Sequence, residues 1–168
     1  MTNKISWLAI IISISSTVMA ADYSALIMPN TMLTPGMINP NATVELLCNS
    51  TGANPDKSSG TKVRKVSKAT ELQVYNKYQL IDHVGYCAQS PRGCEIDHLV
   101  SLELGGSNNS SNLWPQSYGG MWNAVQKDTL EDKLGKLVCK RTISLSDAQS
   151  AISTDWIQAY KKYIGVKK

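Results

Sequence analysis

The chain has 168 residues, a formal net charge of +4 and four cysteines. That length suits one domain able to bury a sizeable core. The mild positive charge excludes the strong basic excess of a DNA-coating protein, although it is unevenly spread: Lys57, Lys62, Arg64, Lys65 and Lys68 follow one another with no acid between them. Such a run suits phosphate contacts or, equally, a solvated face.

Lys4 opens a positive start, Ile5 to Ile14 is apolar apart from serines, and Val18-Met19-Ala20 offers a cleavage site before Ala21. This layout predicts a secretory signal peptide over residues 1–20 and a single domain over residues 21–168. The apolar run is much shorter than the roughly 20 residues that span a bilayer, and no later segment is apolar enough to do so. The expectation is an exported chain, secreted or periplasmic, with no stable membrane insertion in its mature form.

An even cysteine count in an exported chain predicts two disulfides, with three pairings possible. The favoured pairing is Cys87–Cys94, a local clip, with Cys48–Cys139 tying the ends of the domain together. A zinc site is the rival, but the spacings are not CxxC.

In chain order, residues 21–60 are broken by Pro29, Pro35, Gly36, Pro40, Gly52, Pro55 and Gly60 and read as loop-rich. Short strands are expected at 43–48 and 61–66. Ser67 is a plausible N-cap for a helix over Lys68 to Tyr78. Residues 82–93 read as a loop, with His83 an ordinary member of it. Residues 94–104 read as a strand with Ile96, His98, Val100, Leu102 and Leu104 on one face. Gly105-Gly106 through Ser111 is a polar turn, and Asn112 to Gln116 a return strand. A helix is expected from Met121 to Val138 with a Leu130, Leu134, Leu137, Val138 stripe. Ser146-Asp-Ala-Gln149 is a capping-box pattern, followed by two short helices, the second carrying Trp156, Ile157 and Tyr160. Trp114 and Trp122 read as core.

Chemistry concentrates in Glu95-Ile-Asp-His98, Gly105-Gly106 and Asn112-Leu113. Hydrolysing a phosphodiester needs an activated water and something to hold the charge that develops on the phosphoryl oxygens and leaving group. A hard cation held by oxygen ligands does the second job. Asp97 offers such an oxygen, and His98 can be neutral at working pH and take a proton from water. Asp97 and His98 point to opposite faces of a regular strand, so a shared site predicts a bulge, a strong twist or a strand end near residue 97.

Strand, turn, strand, helix is the frame of the ββα-metal nucleases, and Glu95 to His98, Gly105-Gly106 and Asn112-Leu113 resemble the core of an HNH endonuclease. The resemblance extends to small secreted bacterial HNH-type proteins through Thr34-Pro-Gly36, Asn112-Leu-Trp-Pro-Gln116, Lys127-Asp128 with Glu131, Ser144 to Gln149 and Thr154-Asp-Trp156. It implies an α+β fold with a ββα-metal core, an added N-terminal segment, extra helices and disulfide staples. It also implies that Asn112 accepts a hydrogen bond from the second ring nitrogen of His98. The helix that should carry the final histidine has none; some family members use Asn or Asp there, and this chain offers Asn123 and Asp128. Asp128 is the preferred ligand, because an anion binds a hard cation better than an amide does. Lys127 is then a phosphate contact, and Glu131 more naturally its ion-pair partner than a ligand. The implied cofactor is Mg²⁺ or Mn²⁺, the implied partner a nucleic acid (DNA ahead of RNA), and the implied activity weakly sequence-selective phosphodiester hydrolysis. A non-catalytic secreted module that binds DNA or another envelope component is the alternative.

Overall fold

Residues 27–48, 64–80 and 93–166 are described by the computed structural model. The expected leader (1–20), His83 and Cys87 lie outside them. In chain order come α1 (Val44–Cys48), α2 (Lys68–Lys77), β1 (Cys94–His98), 3₁₀ turns at Leu102–Leu104 and Ser110–Asn112, β2 (Leu113–Ser117), α3 (Ala124–Cys139) and α4 (Leu145–Tyr163). Helices and a small antiparallel sheet make this an α+β chain. Among the described residues no helix is long and apolar enough to cross a membrane.

The stretch expected to be a strand at 43–48 is instead the helix α1. The Thr43 hydroxyl accepts from the N–H of Leu46 at 3.3 Å, and its carbonyl from Leu47 at 3.0 Å. That local capping diverts the backbone from a ladder. Leu47 buries, and Cys48 is bonded to Cys139 at the end of α3. The bridge joins residues 91 apart, which by the loop-entropy argument stabilises the fold by about 4 to 5 kcal/mol. Of the other expected strand, 64–66 carries no regular structure. Helix α2 begins as expected, with Ser67 Oγ accepting from the N–H of Thr70 at 3.1 Å.

β1 and β2 pair antiparallel from Cys94↔Ser117 to His98↔Leu113. The expected strand to residue 104 stops at His98, because the Asn112 side chain captures both backbone groups of Val100: its Oδ1 accepts from the N–H and its Nδ2 donates to the carbonyl, each at 2.9 Å. Leu99 and Val100 are both fully buried, so the alternation ends there. The double glycine that follows has two separate causes. Gly105 takes φ +77°, and a Cβ on Gly106 would lie 1.7 Å from the Val100 carbonyl oxygen. Thr34, fully buried, ties the N-terminal segment to this hairpin through its Oγ1, which donates to the carbonyl of Leu113 at 2.9 Å.

One apolar cluster packs α2 on the sheet through Val74, Tyr75, Ile96 and Leu113. A larger one joins α3, α4 and the first 3₁₀ turn through Leu104, Leu130, Leu134, Ile152 and Trp156. Trp114 is fully buried, and Trp122 packs edge-on against Trp156 and Tyr160, so both tryptophans are structural. The cap of α4 is Ser144, which accepts from the N–H of Asp147, and not Ser146; Gln149 instead donates to the Leu104 carbonyl at 2.8 Å. α4 breaks at Asp155 (φ −159°, ψ 94°), whose carboxylate caps the following turn at Gln158. The break makes the two successive helices that the sequence predicts.

Candidate active site

The pairing of β1 runs without a bulge to His98, and the strand then ends. That end is what lets neighbours of opposite facing share one space. Asp97 and His98 both line a cleft of about 350 Å³ where β1 and the first 3₁₀ turn meet α3. Asp128 and Glu131 of α3 line it too, with Glu103 and Asp132 farther along. The carboxylates of this lining make the cleft hostile to a bare phosphate.

Lys127 lies inside the seam rather than in the cleft. Its side chain is fully buried, and its Nζ donates to Asp97 Oδ2 and to the His98 carbonyl, each at 2.6 Å, and to Glu131 Oε1. Three N–H donors thus meet three acceptors. Burial opposes the ammonium charge, yet Asp97 and Glu131 outweigh it and hold the Lys127 pKa above its ordinary value. Burial pushes Glu131 up, aided by the charge of Asp97 and opposed by Lys127. The expectation that Lys127 contacts phosphate is therefore corrected: the ammonium faces inward and orients Asp97 and the end of β1. The expected Lys127–Glu131 pair is present.

His98 is buried, with 4% of its surface exposed. Its Nε2 lies 3.1 Å from Asn108 Oδ1, and its Nδ1 lies 3.4 Å from Arg64 Nη1. Because an amide oxygen only accepts and a guanidinium only donates, the ring carries its proton on Nε2 and its lone pair on Nδ1. Burial lowers the His98 pKa below the ordinary imidazole value; Asp97 and Asn108 oppose this, while the charges of Arg64 and Lys127 reinforce it. The residue that orients the ring is thus Asn108 and not Asn112. Asn112 spends its amide on Val100 and on the Ser107 carbonyl, so it shapes the turn. Asn108 sits in the polar turn at 105–111, where nothing in its spacing distinguishes it from its neighbours. Arg64 belongs to the basic run, and only the fold shows that the run reaches His98.

Asn123 is the N-cap of α3: its Oδ1 accepts from the N–H of Val125 at 3.0 Å and its Nδ2 donates to the Gly120 carbonyl at 2.8 Å. The helix accordingly starts at Ala124 and not at Met121. The cap occupies the amide, whereas Asp128 lines the cleft. Glu95 accepts from the Tyr118 hydroxyl at 2.6 Å. Burial and the charge of Asp97 raise its pKa.

The donor set suits a hard divalent cation. Asp97 and Asp128 supply carboxylate oxygens, and Mg²⁺ is commonly held by one or two carboxylates with water and substrate phosphate completing its shell. Among the described residues no group of three or more His, Cys, Asp or Glu side chains is gathered to hold a metal ion. No protein-family model, curated protein or solved structure matches this chain. The geometry of the cleft therefore carries the functional argument.

Proposed function

We propose that the protein is an exported, metal-dependent endonuclease of the HNH, ββα-metal type that hydrolyses phosphodiester bonds, with DNA favoured over RNA. The observation that carries this reading is the meeting of Asp97, His98 and Asp128 at one cleft where a two-stranded hairpin abuts the helix that follows it. Asp97 and Asp128 would hold Mg²⁺ or Mn²⁺, which supplies charge stabilisation at the phosphoryl oxygens and leaving group. His98 accepts the proton of the attacking water at Nδ1, since Nε2–H is committed to Asn108. Lys127 fixes the carboxylate of Asp97. The Cys48–Cys139 bridge fits an oxidising compartment and supports export.

Plasmid nicking in Mg²⁺ with and without EDTA tests the activity, and His98→Ala tests the base. The parent should nick only with free metal, and the variant should lose about 10²- to 10⁴-fold in rate while keeping its circular dichroism. Equal nicking by both proteins would refute the role of His98.

One observation favours a second reading, a binding module that keeps the frame without catalysis. A resident cation, Lys127, already bridges Asp97 and Glu131. Salt-sensitive DNA binding with no EDTA-sensitive nicking would support that module and sink the enzyme.

A further inference from the structure

We propose that Arg64 is the phosphate-gripping residue of this site, and that the segment from Arg64 to Lys68 is the track along which a nucleic-acid backbone reaches His98. The inference deepens the phosphodiesterase reading and rests on it for the word substrate.

The surroundings of the His98 ring are uneven in charge. The cleft toward α3 is lined by carboxylates, which repel a polyanion until a cation offsets them. At the Nδ1 edge of the ring stands Arg64, whose side chain is 43% exposed. Its Nη2 donates to the Ile96 carbonyl at 2.7 Å, so the guanidinium is anchored on β1. Its remaining contacts are looser: 3.4 Å from Nη1 to His98 Nδ1 and 3.7 Å from Nη2 to Glu71. A guanidinium has five donors in a planar fork, and phosphate oxygens match that fork better than one imidazole nitrogen does. With Lys127 buried, Arg64 is, among the described residues, a cation placed to meet a phosphate beside the base.

The segment is fastened as well as charged. The N–H of Lys65 donates at 3.0 Å to Asn108 Oδ1, the same oxygen that faces His98 Nε2. Residues 64 and 65 therefore engage both edges of the ring through one short stretch of chain. Lys68, the first residue of α2, is 97% exposed and pairs with Glu71 at 2.8 Å. An exposed pair of that kind is weak and yields readily to a phosphate. A phosphate accepting from Arg64 lies next to Nδ1, and drawing Nη1 away opens that nitrogen to the attacking water. Substrate binding and exposure of the base are thus one movement of one side chain.

The test uses the parent, Arg64→Ala, Arg64→Lys, Lys68→Ala and the control Arg141→Ala, whose guanidinium instead pairs with Glu45. Cleavage of a DNA duplex is followed in Mg²⁺, and duplex binding is followed in EDTA across salt concentrations. Arg64→Ala should lose about 10- to 100-fold in kcat/KM, with partial recovery in Arg64→Lys, which keeps the charge and loses the fork. Arg64→Ala and Lys68→Ala should each flatten the slope of log affinity against log salt by about 0.9, and Arg141→Ala should not. A merely structural role for Arg64 would shift the melting temperature and leave that slope alone. Cleavage by Arg64→Ala equal to or faster than the parent overturns the grip while leaving the nuclease reading intact. Equal flattening by Arg141→Ala overturns the track. A parent that binds but never cleaves, with the slope still flattened by Arg64→Ala, sinks the nuclease reading and keeps the grip.

Discussion

Helix α3 serves two seams of opposite chemistry. Toward α4 it buries hydrocarbon: Leu130, Leu134 and Val138 against Ile152 and Trp156. Toward β1 it buries charge: Lys127 against Asp97, Glu131 and the His98 carbonyl. The apolar seam is non-directional and tolerates swaps that conserve volume. The charged seam holds only while every partner is present, because a lone buried ion cannot recover its lost hydration. One seam keeps the domain together, and the other sets the position of the chemistry.

Separating the two seams begins with the covalent one. Replacing both Cys48 and Cys139 by serine should lower the unfolding free energy by about 4 to 5 kcal/mol, read from urea titration. The bridge ties α1 to the far end of α3, so metal-dependent cleavage should survive at temperatures where the variant stays folded. Loss of cleavage in the folded variant would mean that the seams are not separable.

Lys127 gives the next largest effect. Lys127→Ala should cost about 3 to 5 kcal/mol, because it leaves the largely buried carboxyl groups of Asp97 and Glu131 without their shared donor. Lys127→Met refills the volume and should cost less, yet both variants should lose activity as Asp97 is released. Leu134→Met in the neighbouring seam should cost under about 1.5 kcal/mol and leave activity unchanged. If Lys127→Met matched Leu134→Met in both stability and rate, the charged seam would have no positioning role.

The same division explains what the sequence discloses. The stripe of α3, the cap at Ser67 and the two-part C-terminal helix follow from local rules of period and capping, and the Cys48–Cys139 bridge from an even cysteine count once the two nearest cysteines are paired with each other. That Asp97, His98 and Asp128 come to one cleft is legible because the hairpin's turn chemistry and the position of the following helix are local too. The interior roles are not. Whether Lys127 points at solvent or at Asp97 depends on how far α3 rolls toward β1, and the residue type is the same in either case. Asn108 and Asn112 are both asparagines of one polar turn, and only the path of the chain around Gly106 decides which one meets the ring. The helix at Val44–Cys48 is misread for a simpler reason: a segment five residues long is too short to show a period, and the Thr43 cap decides its backbone.

Those two asparagines offer a finer separation. Asn112→Ala removes three hydrogen bonds and leaves both backbone groups of buried Val100 unpaired, so it should cost about 2 to 3 kcal/mol in unfolding free energy. Asn108→Ala removes the acceptor that fixes the His98 tautomer, and should lower kcat with a much smaller change in stability. If Asn108→Ala kept full activity and Asn112→Ala alone lost it through the chemical step, the orienting role would return to Asn112.

The smallest expected effect is a difference in acid sensitivity. Burial holds the His98 pKa below its unfolded value, so below about pH 6.5 the unfolded chain binds the extra proton first and stability falls. Glu131 carries the opposite sign: burial raises its pKa, so its contribution is full below the ordinary carboxyl value of 4.5 and is lost as pH rises from there to about 8. Urea titrations between pH 5 and 9 should therefore show His98→Ala losing less stability than the parent as pH falls below 6.5 and Glu131→Gln losing less than the parent as pH rises toward 8. Leu134→Met, in the apolar seam, should track the parent at every pH. The cleavage rate should hold below pH 6.5 and fall only as His98 takes its proton, because a protonated ring has no lone pair for the water. Parallel curves for the parent and His98→Ala across the acid limb would show that the imidazole is as hydrated in the folded protein as in the unfolded chain, and the distinction between the two seams would lose its electrostatic half.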